Sequence, residues 1–178
     1  MAILKRKITD PRAPQEYNSQ IAARDAFNLA KSKTLDTEPL DIDALVTSLG
    51  IDLRLEVLPN EISGYLKKNN GHWTIGVNSL HHPNRRRFTI AHELGHYFLH
   101  RHISDFEDRA LFRNSSDRNQ LEYEANDFAA SLLMPSTNFK IALRQTGDNL
   151  RAIAERFGVS ELATKFRQDS IRQNFGID

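Results

Sequence analysis

The apolar residues of this chain keep two rhythms, one of three to four residues and one of two, and the switches between them mark its elements. From Glu16 to Lys33, Ile21, Ala22, Ala26, Leu29 and Ala30 recur at helical spacing, with Phe27 widening the stripe, which predicts a first helix. Ile42, Leu45 and Val46 share a face of a second, shorter helix over Asp41–Leu49, stopped by Gly50. Leu53, Leu55 and Val57 then alternate with Arg54 and Glu56, as in a half-buried strand. Tyr65–Lys67 and Trp73–Val77 flank Asn69-Asn70-Gly71, a hairpin turn. A small, mainly antiparallel sheet packed against helices is therefore expected. Pro83 suits the first turn of a helix running to about Arg101, and another covers Leu121–Met134 and stops at Pro135. Two short helices follow Gly147, separated by the turn Phe157-Gly158-Val159-Ser160. Residues 1–15, with Pro11 and Pro14 and little periodicity, read as a tail.

With 178 residues and 39% hydrophobic content, the chain can build one compact domain with its own core. A formal net charge of +1 gives no global field toward nucleic acid or membrane, although it is compatible with a local basic patch. There are no cysteines, so disulfides, thiolate metal ligands and thiol catalysis are all excluded, and any metal must be held by histidine and carboxylate. Lys5, Arg6 and Lys7 are not followed by an apolar stretch of signal-peptide length, and nothing approaches the roughly 20 apolar residues of a membrane span. A cytoplasmic protein is expected.

The segment Arg87-Phe88-Thr89-Ile90-Ala91-His92-Glu93-Leu94-Gly95-His96-Tyr97-Phe98-Leu99-His100 changes the picture. His92 and His96 are four apart, so on a helix both imidazoles leave one face and reach a single metal ion. Glu93 is rotated by about 100° and flanks that ion without ligating it, where it can act as general base. This is the H-E-x-x-H pattern of zinc peptidases. The plainer reading is a pair of surface histidines. Phe88, Ile90, Ala91, Leu94, Phe98 and Leu99 oppose it by making the helix apolar over most of its girth. Gly95 costs about 1 kcal/mol relative to alanine in a helix, which points to another element packed closely against it.

Three protein ligands and a water complete a catalytic zinc tetrahedron, so a third ligand must come from elsewhere. His102 sits where an extended H-E-x-x-H-x-x-G-x-x-H pattern would place it, but Leu99 replaces the glycine needed for the turn. His100 lies a further turn from His96 and reads as a neighbour of the site or a packing residue. In Leu121–Leu132, the residues Leu121, Ala125, Phe128, Ala129 and Leu132 form a buried stripe. Glu122 and Asn126 flank it, whereas Glu124 shares a face with Asp127 and Ser131, taken as the solvent side. Helical phase thus selects Glu122 as the ligand, with Asn126 placed to orient another ligand. Zinc is the expected metal; manganese or iron suits the same donors.

At 87–100 and at Glu122–Pro135 (E-Y-E-A-N-D-F-A-A-S-L-L-M-P) the chain resembles the ImmA/IrrE family of metallopeptidases. The likeness extends more loosely over Gly64–Asn78 and Ile153–Ser160. It implies a compact zincin-like α+β fold with a gluzincin-type site in which His92, His96 and Glu122 ligate and Glu93 is the catalytic base. It also implies cleavage of a helix-turn-helix repressor encoded nearby, inducing mobile-element or stress-response genes; some members act in toxin–antitoxin-like pairs. The alternative is a non-hydrolytic regulator that sequesters such a repressor or touches DNA. The organisation expected is the tail over 1–15, a metallopeptidase domain over 16–146 and a helical region with helix-turn-helix character over 147–178.

Weaker signals complete the reading. An extended substrate could pair with the strand Thr74–Val77. The oxyanion donor is not identified; Tyr65, His72, His81, His82 and His100 are candidates, with Tyr65, His72, His100 and Asn126 retained as residues touching substrate or supporting ligands. Arg85, Arg86 and Arg87 read as a solvated cationic face. Arg167 and Arg172 could meet phosphate, but Glu155, Glu161 and Asp169 dilute the charge, so packing or repressor recognition is favoured over DNA.

Overall fold

The computed structural model describes residues 18–103 and 115–175, and the tail expected over 1–15 lies outside them. Helix α1 spans Ser19–Ser32 and begins later than its periodicity suggested, because the Asn18 side chain accepts from the amides of Gln20 and Ile21 and caps it there. Asp41 caps α2, Ile42–Ser48, in the same way through Ala44 N–H. Gly50 follows with φ +73°, the left-handed conformation expected of a helix stop. The strands are β1 (Asp52–Glu56), β2 (Gly64–Asn69) and β3 (His72–Asn78). Five helices complete the chain: α3 (Pro83–His100), α4 (Ser115–Leu133), α5 (Ser136–Thr146), α6 (Leu150–Phe157) and α7 (Glu161–Phe175).

The hairpin is as expected. Asn70 (φ 48°) and Gly71 (φ 84°) are both left-handed, which matches the twist of β2 and β3. The strand order, however, is β1-β3-β2, with β1 parallel to β3 and β2 antiparallel to it. The sheet is mixed rather than mainly antiparallel, because the segment between β1 and β2 carries the chain across β3. Two readings need correction. Leu55 and Val57 are 57% and 75% exposed, so the apolar alternation of β1 does not mark a buried face. The stretch Thr74–Val77 is bonded to β1 on one side and β2 on the other, leaving no free backbone edge for an added strand.

Helix α3 lies between the sheet and α4, and α1 packs on both helices. At the crossing of α3 and α4, a Cβ on Gly95 would lie 3.0 Å from Phe128 Cδ1 and 3.2 Å from Ala125 Cα. The close approach expected of Gly95 is thus present, and Ala125 and Ala129, both fully buried, are what allow it. Phe128 stacks on Phe98 at 5.6 Å. The C-terminal helices join this core through Ile153 and Phe157, with Phe157 stacked on Phe139 at 6.0 Å. Helix α5 was not expected. It buries only Phe139 and Ala142 and starts at Pro135 without a side-chain cap, so its start lacks the usual capping signal.

Candidate metal centre

Helix α3 starts where Pro83 needs no amide partner, and His82 accepts from Asn84 N–H at its N-terminus. Three turns on, His92 and His96 stand together, with Nε2 to Nε2 3.1 Å and ring centroids 4.7 Å apart. Glu122 reaches them from α4, Oε2 lying 3.2 Å from His92 Nε2 and Oε1 3.6 Å from His96 Nε2. These three are the group among the described residues whose donor atoms lie within 4.8 Å of one another. Donors at 2.0–2.1 Å from a tetrahedral ion are about 3.3–3.4 Å apart, so the spacing fits a small divalent metal without rearrangement.

The partners of the rings turn the right atoms inward. Asn126 Oδ1 is 3.0 Å from His92 Nδ1, and a carbonyl oxygen only accepts, so Nδ1 carries the proton there. Behind His96, its Nδ1 lies 2.9 Å from Nδ1 of His100, whose Nε2 is 3.0 Å from Glu124 Oε2. Burial opposes charging of His92, but the hydrogen bond to Glu122 and the charges of Glu93 and Glu122 prevail, and its proton affinity is raised. The adjoining His92 and His96 rings, His92 first through its hydrogen bond, hold the Glu122 carboxyl far below the usual carboxylate range. A carboxylate kept ionised beside two imidazoles favours a cation among the three. Burial pushes His100 below the ordinary histidine value, against the opposing hydrogen bond to Glu124.

Glu93, 3% exposed, lines a cleft of about 440 Å³ together with His92, Glu122 and the segment Glu61–Gly64. Asn78, fully buried, shapes that segment. Its Nδ2 donates toward the carbonyls of Leu58, Pro59 and Ile62, and its Oδ1 accepts from Leu80 N–H. Gly64 sits tight on α3, since a Cβ there would be 2.5 Å from Thr89 Cγ2. Sequence reasoning missed Asn78 and residues 61–64, which belong to no periodic pattern. A second, apolar trough of about 810 Å³ runs between α3, α4 and α7 and shares Arg85, Phe88 and Asn126 with the metal cleft. Tyr123, Leu162 and Phe166 line it and are 63–67% exposed.

Other expected site residues lie elsewhere. Tyr65 donates its hydroxyl to Glu56 Oε2 at 2.9 Å and lays its ring across Gly76, so it does not line the cleft. His72 is exposed at the start of β3, and His82 serves as a helix cap. His81 is buried without a hydrogen-bond partner among the described residues and does not line the cleft. His102 is exposed and lies outside the cluster. Glu124, Asp127 and Ser131 do not form a solvent face: Glu124 meets His100, Asp127 accepts from Ser19 of α1 at 2.5 Å, and Ser131 meets Arg167 of α7 at 3.1 Å. Arg87 is not a solvated residue either; it donates to the carbonyls of Gly158 and Leu40. Arg167 is 5% exposed and committed to Met134 O, Ser131 and Ser136, so it is not presented to phosphate, whereas Arg172 pairs with Asp148 at the surface.

Two imidazoles from one helix, closed by a carboxylate from the next, are the donor arrangement of zincin-like metallopeptidases. The family profile described as "IrrE N-terminal-like domain" (Peptidase_M78) matches residues 46–168, more than half of the chain. The chain is 33% identical over 87 residues to metallopeptidase ImmA of Bacillus subtilis, covering 48% of this chain and 50% of that protein. It is 31% identical over 147 residues to the radiation response metalloprotease IrrE of Deinococcus radiodurans, covering 76% of this chain and 43% of that protein. The Deinococcus deserti IrrE is likewise 31% identical, over 152 residues, covering 83% and 52%. The fold matches a Mycobacterium tuberculosis transcriptional regulator with a TM-score of 0.64 at 21% identity, over 82% of this chain and 46% of that one. The chain belongs to the ImmA/IrrE family of metallopeptidases, and it spans about half the length of the curated relatives it matches.

Proposed function

We propose that this chain is a zinc-dependent endopeptidase of the cytoplasm that cleaves a helix-turn-helix repressor and thereby induces the genes the repressor holds off. The observation that carries the reading is Glu93, a buried carboxylate in the same cleft as His92 and Glu122, two of the three convergent donors. A protein that only binds has no need of a base at that position. Zinc, when bound, supplies Lewis acidity that polarises a carbonyl and brings the pKa of water down to about 7. Glu93 takes the proton of the attacking water on its carboxylate and passes it to the leaving amine. Asn126 keeps the His92 ring in register, and residues 61–64 wall the cleft opposite α3. No described helix is long and apolar enough to cross a membrane.

The scissile segment lies between α3 and residues 61–64, and apolar side chains flanking it enter the trough beside α7. Where α7 borders the trough it presents Leu162 and Phe166, with Arg167 turned into the core, which supports a protein rather than DNA at this surface. The same trough would serve a regulator that binds a repressor without cutting it, and Glu93→Gln separates the two. With the repressor encoded beside this gene as probe, the variant should retain zinc and lose cleavage by at least about 10²-fold. Unchanged cleavage by the variant removes Glu93 from the chemistry. Induction that survives the substitution selects the binding regulator.

A further inference from the structure

We propose that His100 and Glu124 are positioning residues for the metal ligand His96: together they fix its ring orientation and keep its Nε2 unprotonated toward the ion. The inference rests on the metal reading above and extends it to residues outside the donor set. Glu124 Oε2 is 3.0 Å from His100 Nε2, and a carboxylate only accepts, so the His100 proton resides on Nε2. Only one hydrogen fits between ring nitrogens 2.9 Å apart, and a His96 that ligates through Nε2 keeps its own proton on Nδ1, so His100 Nδ1 is the lone pair of this contact. At 2.9 Å it accepts from His96 Nδ1–H, and His96 is left with its lone pair on Nε2, the atom beside His92 and Glu122. Gln120 Nε2 donates to the other Glu124 oxygen at 2.7 Å and holds the carboxylate in place.

A plainer role for a histidine in the last turn of a helix is to balance the helix dipole as a cation in solvent. His100 is 2% exposed, and each ring nitrogen faces a partner at hydrogen-bonding distance, so that role does not fit. The two ligand rings are supported differently. Among the described residues, His92 leans on the Asn126 amide oxygen near the surface, whereas His96 is backed by His100 and then Glu124, whose side chain is 34% exposed. Outer partners of metal-bound histidines fix the tautomer and raise ligand basicity.

The test uses the whole chain and reads zinc binding and ring tautomers, not hydrolysis. Glutamine can reproduce both functions of His100, accepting through Oε1 and donating through Nε2, whereas phenylalanine fills the space and offers neither. His100→Phe and Glu124→Ala should weaken zinc, measured by chelator competition, about 10–100-fold. His100→Gln should stay within about threefold of the parent. Nitrogen-15 spectra of the metal-free parent should show His96 protonated at Nδ1, and the preference should be lost in His100→Phe. Parent protein with His96 protonated at Nε2 overturns the proposal even if His100→Phe fails to fold. So does His100→Phe binding zinc as the parent does, or His100→Gln failing as badly as His100→Phe in a folded protein. Failure of the parent to take up zinc is a separate result: it removes the metal reading, and the proposal falls with it.

Discussion

Gly95→Ala tests whether the α3–α4 contact sets the geometry of the centre. In isolation the change favours the helix by about 1 kcal/mol. Here the new methyl would sit 3.0 Å from Phe128 Cδ1 and 3.2 Å from both Cα and O of Ala125, against a preferred carbon–carbon separation of about 3.5–4.0 Å. Phe128 is fully buried and stacked on Phe98, and the Ala125 atoms are backbone, so α4 itself must recede by roughly 0.3–0.8 Å. Overpacking of this kind costs about 1–3 kcal/mol, leaving a net loss of about 0–2 kcal/mol and a melting temperature lower by up to about 8 °C. Glu122 lies one turn from Ala125 on the same helix and moves with it, while metal–ligand distances tolerate only about 0.2 Å. Zinc affinity should therefore fall at least about tenfold, out of proportion to the loss of stability. The assays are thermal unfolding of the metal-free protein and competition with a chromophoric chelator. A variant that melts higher by the full helix gain and binds zinc like the parent would refute the reasoning.

Three further outcomes are expected. His92 must shed its proton to ligate, and its pKa is raised while that of Glu122 is lowered, so zinc affinity should rise with pH through the raised His92 value, by about tenfold per unit for each proton displaced. The stability of the metal-free protein should run the other way in that window: the His92–Glu122 attraction is fully present below the ordinary histidine value, is lost as pH rises through the raised one, and is also lost in strong acid as Glu122 protonates. Calorimetry of both forms from pH 5 to 9 checks the opposed slopes. Arg167→Ala should destabilise by about 3–5 kcal/mol in urea unfolding, because it removes a buried cation and strips partners from Met134 O, Ser131 and Ser136. Leu162→Glu with Phe166→Glu should leave stability within about 1 kcal/mol, both side chains being mostly exposed, yet raise KM for the full-length repressor while sparing a short peptide that spans only the scissile bond.

What could be read from the sequence followed from local geometry. The spacing of His92 and His96 needs only one helix, and the choice of Glu122 needs only the phase of a second helix, whose expected stripe is buried at Ala125, Phe128, Ala129 and Leu132 and half-buried at Leu121. Gly95 announced a close neighbour because a glycine inside a helix is otherwise costly. The failures arose where an answer depends on several elements at once. Alternation in β1 says nothing about which strand lies beside it or in which direction, so the parallel pairing was hidden and Leu55 and Val57 looked half-buried. Glu124, Asp127 and Ser131 were read as one solvent face because a single helix was considered. In the fold α1, α3 and α7 surround α4, and each of those three polar side chains has a partner on a different helix. Asn78 gave no signal because its role is to gather carbonyls of an irregular segment.

The division of the donors between α3 and α4 has a temporal consequence. During synthesis, the chain emerges with its two imidazoles well before Glu122 is made, and the helix carrying that carboxylate must still dock through Gly95 and Ala125 before the triad exists. An unfinished or locally opened molecule holds at most a two-nitrogen chelate, which grips a cation loosely. On the proposed ligand set, tight metal binding waits until the fold has closed, and hydrolysis that needs the metal is withheld from partly made copies of the protein.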